Sequence, residues 1–139
     1  MTIFYADPTA LFAAYLADEP GHAELRELLI DGGHFVLTSE LTRLELAGAI
    51  TAAKPGMTSL LRQFDEDSRT VLGVVPLNPR VFAAARRTVI GSPVSTLAAI
   101  HIAVAMHGTA ELTGGSPVTF VTRDDRQAEA AKANGFEVR

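Results

Sequence analysis

Short apolar runs rich in Val, Ile, Phe and Thr alternate along this chain with longer segments of helical period, and that alternation leaves few folds open. Strands separated by helices pair in parallel, because a parallel partner is reached only through a long crossover, and the helices then cover the sheet on both faces. Four runs read as strands by their β-branched or aromatic content and turn-like flanks: residues 3–6, 35–38, 73–77 and 118–122. A short fifth run, 136–138, reads as an edge strand. Between them the periodicity predicts helices over 8–17, 22–29, 41–53, 58–67, 79–89, 95–107 and 124–134. Their boundaries are marked by Asp18-Glu19-Pro20-Gly21, Lys54-Pro55-Gly56, Asn78-Pro79, Gly91-Ser92-Pro93 and a closing Gly135 suited to a left-handed cap. The expected architecture is a three-layer α/β/α sandwich around a central, mainly parallel sheet of four to five strands. At 139 residues it makes one domain, 1–139.

Composition enters as a set of exclusions. With 47% hydrophobic and 20% charged residues the chain is too apolar to stay disordered, and no run reaches the roughly 20 apolar residues of a membrane span. The most apolar stretch, 97–106, is interrupted by His101 and fits a buried helix. Met1-Thr2-Ile3-Phe4-Tyr5 carries no export signal, so a cytoplasmic location is expected. Zero cysteines exclude disulfides, thiolate metal sites and cysteine nucleophiles, leaving oxygen or imidazole ligands for any metal. The net charge of −4 argues against binding nucleic acid through a broad positive field. A nucleic-acid substrate would need metal ions and local arginines to offset its charge.

Ligands of open parallel sheets gather at the carboxyl ends of the strands. Asp7 directly follows the first run, and Asp124 follows the fourth after one arginine. Glu45 lies in the helix after the second run, with a side chain long enough to reach the same rim. Three such carboxylates suit Mg²⁺ or Mn²⁺, hard ions that activate water and neutralise charge in phosphodiester hydrolysis. Each acid also has a plainer role. Asp7 before Pro8 is a good N-cap, Asp125 stands where a capping box opened by Thr122 places its acid, Glu45 fits a solvated helix face, and Asp124 fits a first-turn acid facing the helix dipole.

Together these segments resemble the PIN-domain proteins, most closely the VapC-type toxins of type II toxin–antitoxin pairs. The resemblance rests on Ile3-Phe4-Tyr5-Ala6-Asp7-Pro8-Thr9-Ala10-Leu11, on Thr38-Ser39-Glu40-Leu41-Thr42-Arg43-Leu44-Glu45, and on Phe120-Val121-Thr122-Arg123-Asp124-Asp125 running on to Gly135-Phe136-Glu137-Val138. It implies an endoribonuclease dependent on Mg²⁺ or Mn²⁺, with Asp7, Glu45 and Asp124 as metal ligands and Asp125 assisting through a water. Thr9 and Thr122 would orient the carboxylates by hydrogen bonds. The implied partners are an RNA substrate, a cognate VapB-type antitoxin over the acidic cleft and a second copy of the chain; Leu11, Phe12 and Tyr15 are candidate antitoxin contacts, though core packing explains them equally.

One departure stands out. In Leu97-Ala98-Ala99-Ile100-His101-Ile102-Ala103 the family usually has an aspartate directly before the Ala-Ile-His run, and here that position is Ala98. Alanine keeps the helix, so the fold should persist while a fourth metal ligand is lost and turnover falls. A natural degenerate member and a deliberate disarming substitution both fit. His101 reads as a hydrogen-bonded core residue and is left out of catalysis. Arg123 and Arg126, beside Asp124, are the candidate RNA-phosphate contacts, ahead of Arg86 and Arg87. Two other readings compete: a PIN-like module that binds RNA or protein without cleaving, and a receiver-like signalling domain. The latter wants a lysine at the cleft, and Lys54 and Lys132 follow no strand. A phosphatase of the haloacid-dehalogenase kind would want an acid where Thr9 stands.

Overall fold

The computed structural model describes all residues, 1–139. Five strands form one sheet: β1 (Ile3–Ala6), β2 (Phe35–Ser39), β3 (Leu72–Val75), β4 (Val118–Val121) and β5 (Glu137–Val138), in the order β3-β2-β1-β4-β5 with every pair parallel. Helices α1 (Pro8–Tyr15), α2 (His22–Arg26), α3 (Glu40–Ala53) and α4 (Thr58–Thr70) pack on one face, where Phe4, Val36, Leu72 and Val121 meet Leu11, Leu25, Leu46 and Phe64. On the other face α5 (Pro79–Gly91), α6 (Thr96–Ala103) and α8 (Asp125–Ala133) bring Val81, Ile102 and Ala131 against Tyr5, Leu37, Val75 and Phe120. Period-two alternation in β1, Phe4 and Ala6 against Ile3 and Tyr5, thus feeds two cores. The result is the three-layer sandwich that the alternation of segments predicts.

Several boundaries move for local reasons. Strand β3 ends at Val75 rather than at residue 77, because Pro76 has no N–H with which to continue the ladder. Gly73 is needed within it: a Cβ there would stand 2.6 Å from Leu37 Cδ2. The long helix expected over 95–107 ends its regular turns at Ala103 and continues as a π-helical turn, Val104–Gly108, followed by the short α7 (Ala110–Thr113), which the sequence pattern does not reveal. Helix α2 likewise runs into a π-helical turn, Glu27–Asp31. Gly135 has φ +91°, the left-handed stop expected after α8.

The first helical layer is tied by a buried polar knot that hydropathy does not announce. Tyr15 donates to Asp67 Oδ2 at 2.6 Å, and Gln63 Nε2 donates to Oδ1 at 3.0 Å. The Tyr15 ring meets Phe64 edge-on at 5.5 Å and carries the Arg26 guanidinium 5.6 Å above it. Burial, then the Asp67 carboxylate, pushes the Tyr15 phenol well above its ordinary pKa. Asp67→Ala leaves that buried hydroxyl without an acceptor, so urea unfolding should report a loss of about 2–3 kcal/mol. A loss under about 0.5 kcal/mol would deny the knot a structural role.

Candidate active site

From β1 the chain moves outward to β2 and β3, then returns to the other side of β1 for β4, which makes the carboxyl ends of β1 and β4 the switch point where a crevice opens. Register decides what stands there. Tyr5 pairs with Leu37 and Phe120, and Ala6 with Val121, so the register carried on brings Asp7 level with Ser39 and Thr122. All three begin or flank helices. Asp7 caps α1 through Ala10 N–H, Ser39 caps α3 through Thr42 N–H, and Asp124 caps α8 through Arg126 and Gln127 N–H. Three positive helix ends thereby offset negative charge at one rim.

Asp7 is fully buried and both of its oxygens are held. Oδ1 accepts from Thr9 Oγ1 at 2.7 Å and from Ala10 N–H at 3.0 Å, while Oδ2 accepts from Thr122 Oγ1 at 2.6 Å. Each threonine in turn accepts a backbone N–H from the loop before α8: Arg123 donates to Thr9 at 2.8 Å and Asp124 to Thr122 at 3.0 Å. That loop is therefore pinned to Asp7 by two hydroxyl bridges. Burial nevertheless pushes the Asp7 carboxyl above its usual range, with the hydroxyl and amide donors and nearby His101 opposing the shift only in part. No ion pair reaches Asp7.

Glu45 is not a freely solvated face residue. Its side chain is 24% exposed, and Oε1 lies 2.6 Å from Nε2 of His101 on α6. His101 is buried as expected, and its Nδ1 meets the Tyr5 hydroxyl at 2.9 Å. Asp124 is exposed and uses only Oδ1 for its cap. Asp125 is the first residue of α8, exposed, and the N-cap is Asp124 rather than Thr122, so the capping-box reading of Asp125 does not hold. Ala98 is half-buried in the first turn of α6; its N–H donates to Ser95 Oγ at 3.1 Å and its carbonyl accepts from Gln127 Nε2 at 3.2 Å.

The donor set is chemically suited to Mg²⁺ or Mn²⁺: hard carboxylate oxygens, among them a buried Asp7 that no basic side chain pairs with. No three acidic or histidine side chains form a ready-made cage, so an ion here would complete its shell with water. A groove of about 570 Å³ adjoins Glu45, lined by Pro8, Thr9, Phe12, Pro20 and Arg123. Arg126 lines a neighbouring groove with Pro93 and Val94, whereas Arg87 faces a different one beside His107. A hollow of about 450 Å³ between Ile3, Thr109, Val118 and Phe136 opens at the amino ends of the strands, away from the acids. Leu11 and Tyr15 are buried in the core and Phe12 is half-buried beside the groove, which leaves Phe12 as the accessible one of the three.

The PIN domain family matches residues 4–133. The chain belongs to the PIN-domain family. That membership replaces the receiver-like and phosphatase alternatives. No curated protein sequence matches this PIN domain. Among solved structures it resembles Mycobacterium tuberculosis VapC20, a Sarcin-Ricin loop cleaving toxin, with 17% identity, a TM-score of 0.71, and coverage of 97% of this chain and 96% of that one. The DNA-bound VapBC of Salmonella typhimurium matches with 17% identity, a TM-score of 0.67, and coverage of 100% and 98%. The promoter-bound VapBC2 of Rickettsia felis matches with 10% identity, a TM-score of 0.68, and coverage of 99% and 98%. At these identities the likeness is one of fold. No helix of this PIN domain is long and apolar enough to cross a membrane.

Tyr5 and His101 are the residues near the acids that sequence reading did not place there. The signal was present in hindsight only as a tyrosine and a histidine inside otherwise apolar runs, a pattern shared with ordinary core residues.

Proposed function

We propose that this PIN domain is a metal-dependent endoribonuclease of the VapC-toxin kind, restrained by a VapB-type antitoxin, acting in the cytoplasm, with its metal site one carboxylate short at Ala98. The observation that carries the reading is the buried Asp7 held at the switch point by Thr9 and Thr122, with no basic side chain paired to it. When bound, Mg²⁺ or Mn²⁺ would supply a water of lowered pKa and charge neutralisation at the attacked phosphate. The chain's own residues do the rest. Asp7, Glu45 through the carboxylate oxygen that His101 does not use, and Asp124 through its non-capping oxygen would hold the ion. Asp125 acts at one remove, through water. Arg123 and Arg126, exposed on the same loop and helix, engage RNA phosphates, a role that needs no net positive charge overall. The VapBC structures that share the fold hold a toxin with its antitoxin, which supports a VapB-type partner here; assembly as a homodimer is part of the same proposal.

A non-catalytic RNA- or protein-binding module is the second reading, and Ala98 is what favours it. Incubation of the purified chain with structured RNA and Mn²⁺ should give slow endonucleolytic cleavage that excess chelator abolishes and Glu45→Gln removes. RNA that binds and stays whole in Mg²⁺ and Mn²⁺, both for this chain and for Ala98→Asp, would instead establish the binding module.

A further inference from the structure

We infer that His101 and Tyr5 are a positioning pair that holds the Glu45 carboxylate on the rim, His101 as the Nε2–H tautomer donating to Glu45 and accepting from the Tyr5 hydroxyl through Nδ1. The inference rests on the metal-site reading of Glu45 given above and adds two residues to it.

Both ring nitrogens of His101 are engaged, at 2.6 Å by Glu45 Oε1 and at 2.9 Å by the Tyr5 oxygen. A carboxylate only accepts, so the proton of that bond sits on Nε2. A neutral imidazole with its proton on Nε2 has a lone pair on Nδ1, which requires the tyrosine to donate. Tyr5 is equipped to do so. Its hydroxyl carries one proton to give, it is fully buried, and His101 Nδ1 is the hydrogen-bond partner within reach, at 2.9 Å. The order of donation therefore runs one way, from Tyr5 to His101 to Glu45.

The pair also sits where such a hold is needed. Tyr5 is fully buried in central strand β1, two residues before Asp7, and its ring packs on Phe120 at 5.4 Å. His101 is buried in α6, one turn beyond Ala98. Glu45 comes from α3 on the opposite face of the sheet, and a glutamate carries three rotatable bonds whose freedom is lost when it binds an ion. Fixing Oε1 to a buried donor on α6 removes that freedom beforehand and leaves Oε2 for the ion. Partners that orient a metal-binding carboxylate in this manner are typically worth roughly 10- to 100-fold in metal affinity.

The test is Mn²⁺ binding to the purified full chain, read by the electron paramagnetic resonance of the free ion, with ¹⁵N NMR of the histidine rings in the metal-free protein. His101→Leu should weaken Mn²⁺ binding about 10- to 100-fold. His101→Gln, whose amide nitrogen lies about as far from Cα as Nε2 and donates in its place, should regain most of that loss. Tyr5→Phe keeps the ring in the core and should fall between the two. The ¹⁵N pattern of the resonance missing in His101→Gln should be that of the Nε2–H tautomer. Binding by His101→Leu as tight as in the parent overturns the inference, as does failure of glutamine to rescue or an Nδ1–H tautomer. Should His101→Leu not fold, Tyr5→Phe and the tautomer decide in the same way. Glu45→Gln separates this from the wider reading: if that variant also binds Mn²⁺ like the parent, or the parent binds none, the metal site itself is refuted and the positioning pair with it.

Discussion

Ala98→Asp should raise Mn²⁺-dependent RNA cleavage by about 10²–10³-fold, the size of effect seen when one preorganised charge-stabilising group is restored to a reaction centre. Position 98 is the third residue of α6 after its Ser95 cap, and it lies one turn before His101, which reaches Glu45. An aspartate there would stand on the face of α6 that already meets the rim. It would cost the fold little, because an acid three residues after a serine cap favours the helix dipole by roughly 0.3–1 kcal/mol. The measurement is initial cleavage rate on a single RNA under saturating Mn²⁺, with melting temperature as the control. Equal rates for the two chains, at equal stability, would show that position 98 lies outside the site.

Asp7→Asn should move activity and stability in opposite directions. Cleavage should fall at least 10²-fold with loss of the anchoring carboxylate. Stability should rise. The folded-state pKa of Asp7 lies above its unfolded value, so the folded chain binds the extra proton, and the stability this confers is complete below roughly pH 3.9 and lost as pH climbs through the raised value. At neutral pH the buried charge is a burden that asparagine does not carry, while its Oδ1 still accepts from Thr9 and Ala10. The gap between variant and parent in urea unfolding should widen from pH 4 toward pH 7, and each 1 kcal/mol should raise the melting temperature by roughly 3–6 °C. Mn²⁺ at 100 times its dissociation constant should stabilise the parent by about 2.7 kcal/mol and the variant far less. A variant less stable than the parent across that pH range would mean that the threonine and amide bonds outweigh desolvation.

The layers were legible in the amino-acid order because Phe4 and Tyr5 alternate toward two cores and because Asp7-Pro8, Asn78-Pro79 and Gly135 announce helix ends chemically. Asp7 and its threonines could be listed from the same signals. What could not be read is pairing across distance. Glu45 reads as a surface residue because it lies on an amphipathic helix that also holds Arg43, yet α3 and α6, on opposite faces of the sheet, both reach the strand ends, where Glu45 meets a buried histidine. Tyr15 and Asp67 look like a core aromatic and a helix-surface acid, and only the packing of α1 on α4 joins them. The π-helical turn after α6 escapes detection for a related reason: Val104 and Ala105 are apolar and buried, and so fit any helical period.

Placing the first strand between the second and the fourth has a temporal consequence. Asp7 is synthesised well before Thr122, which completes its hydrogen bonds and lies 115 positions further on. Until β4 has left the ribosome, the first strand has an open flank and the cleft has only one wall. A copy terminated before β4 thus has Asp7 without the hydroxyl that holds its second oxygen.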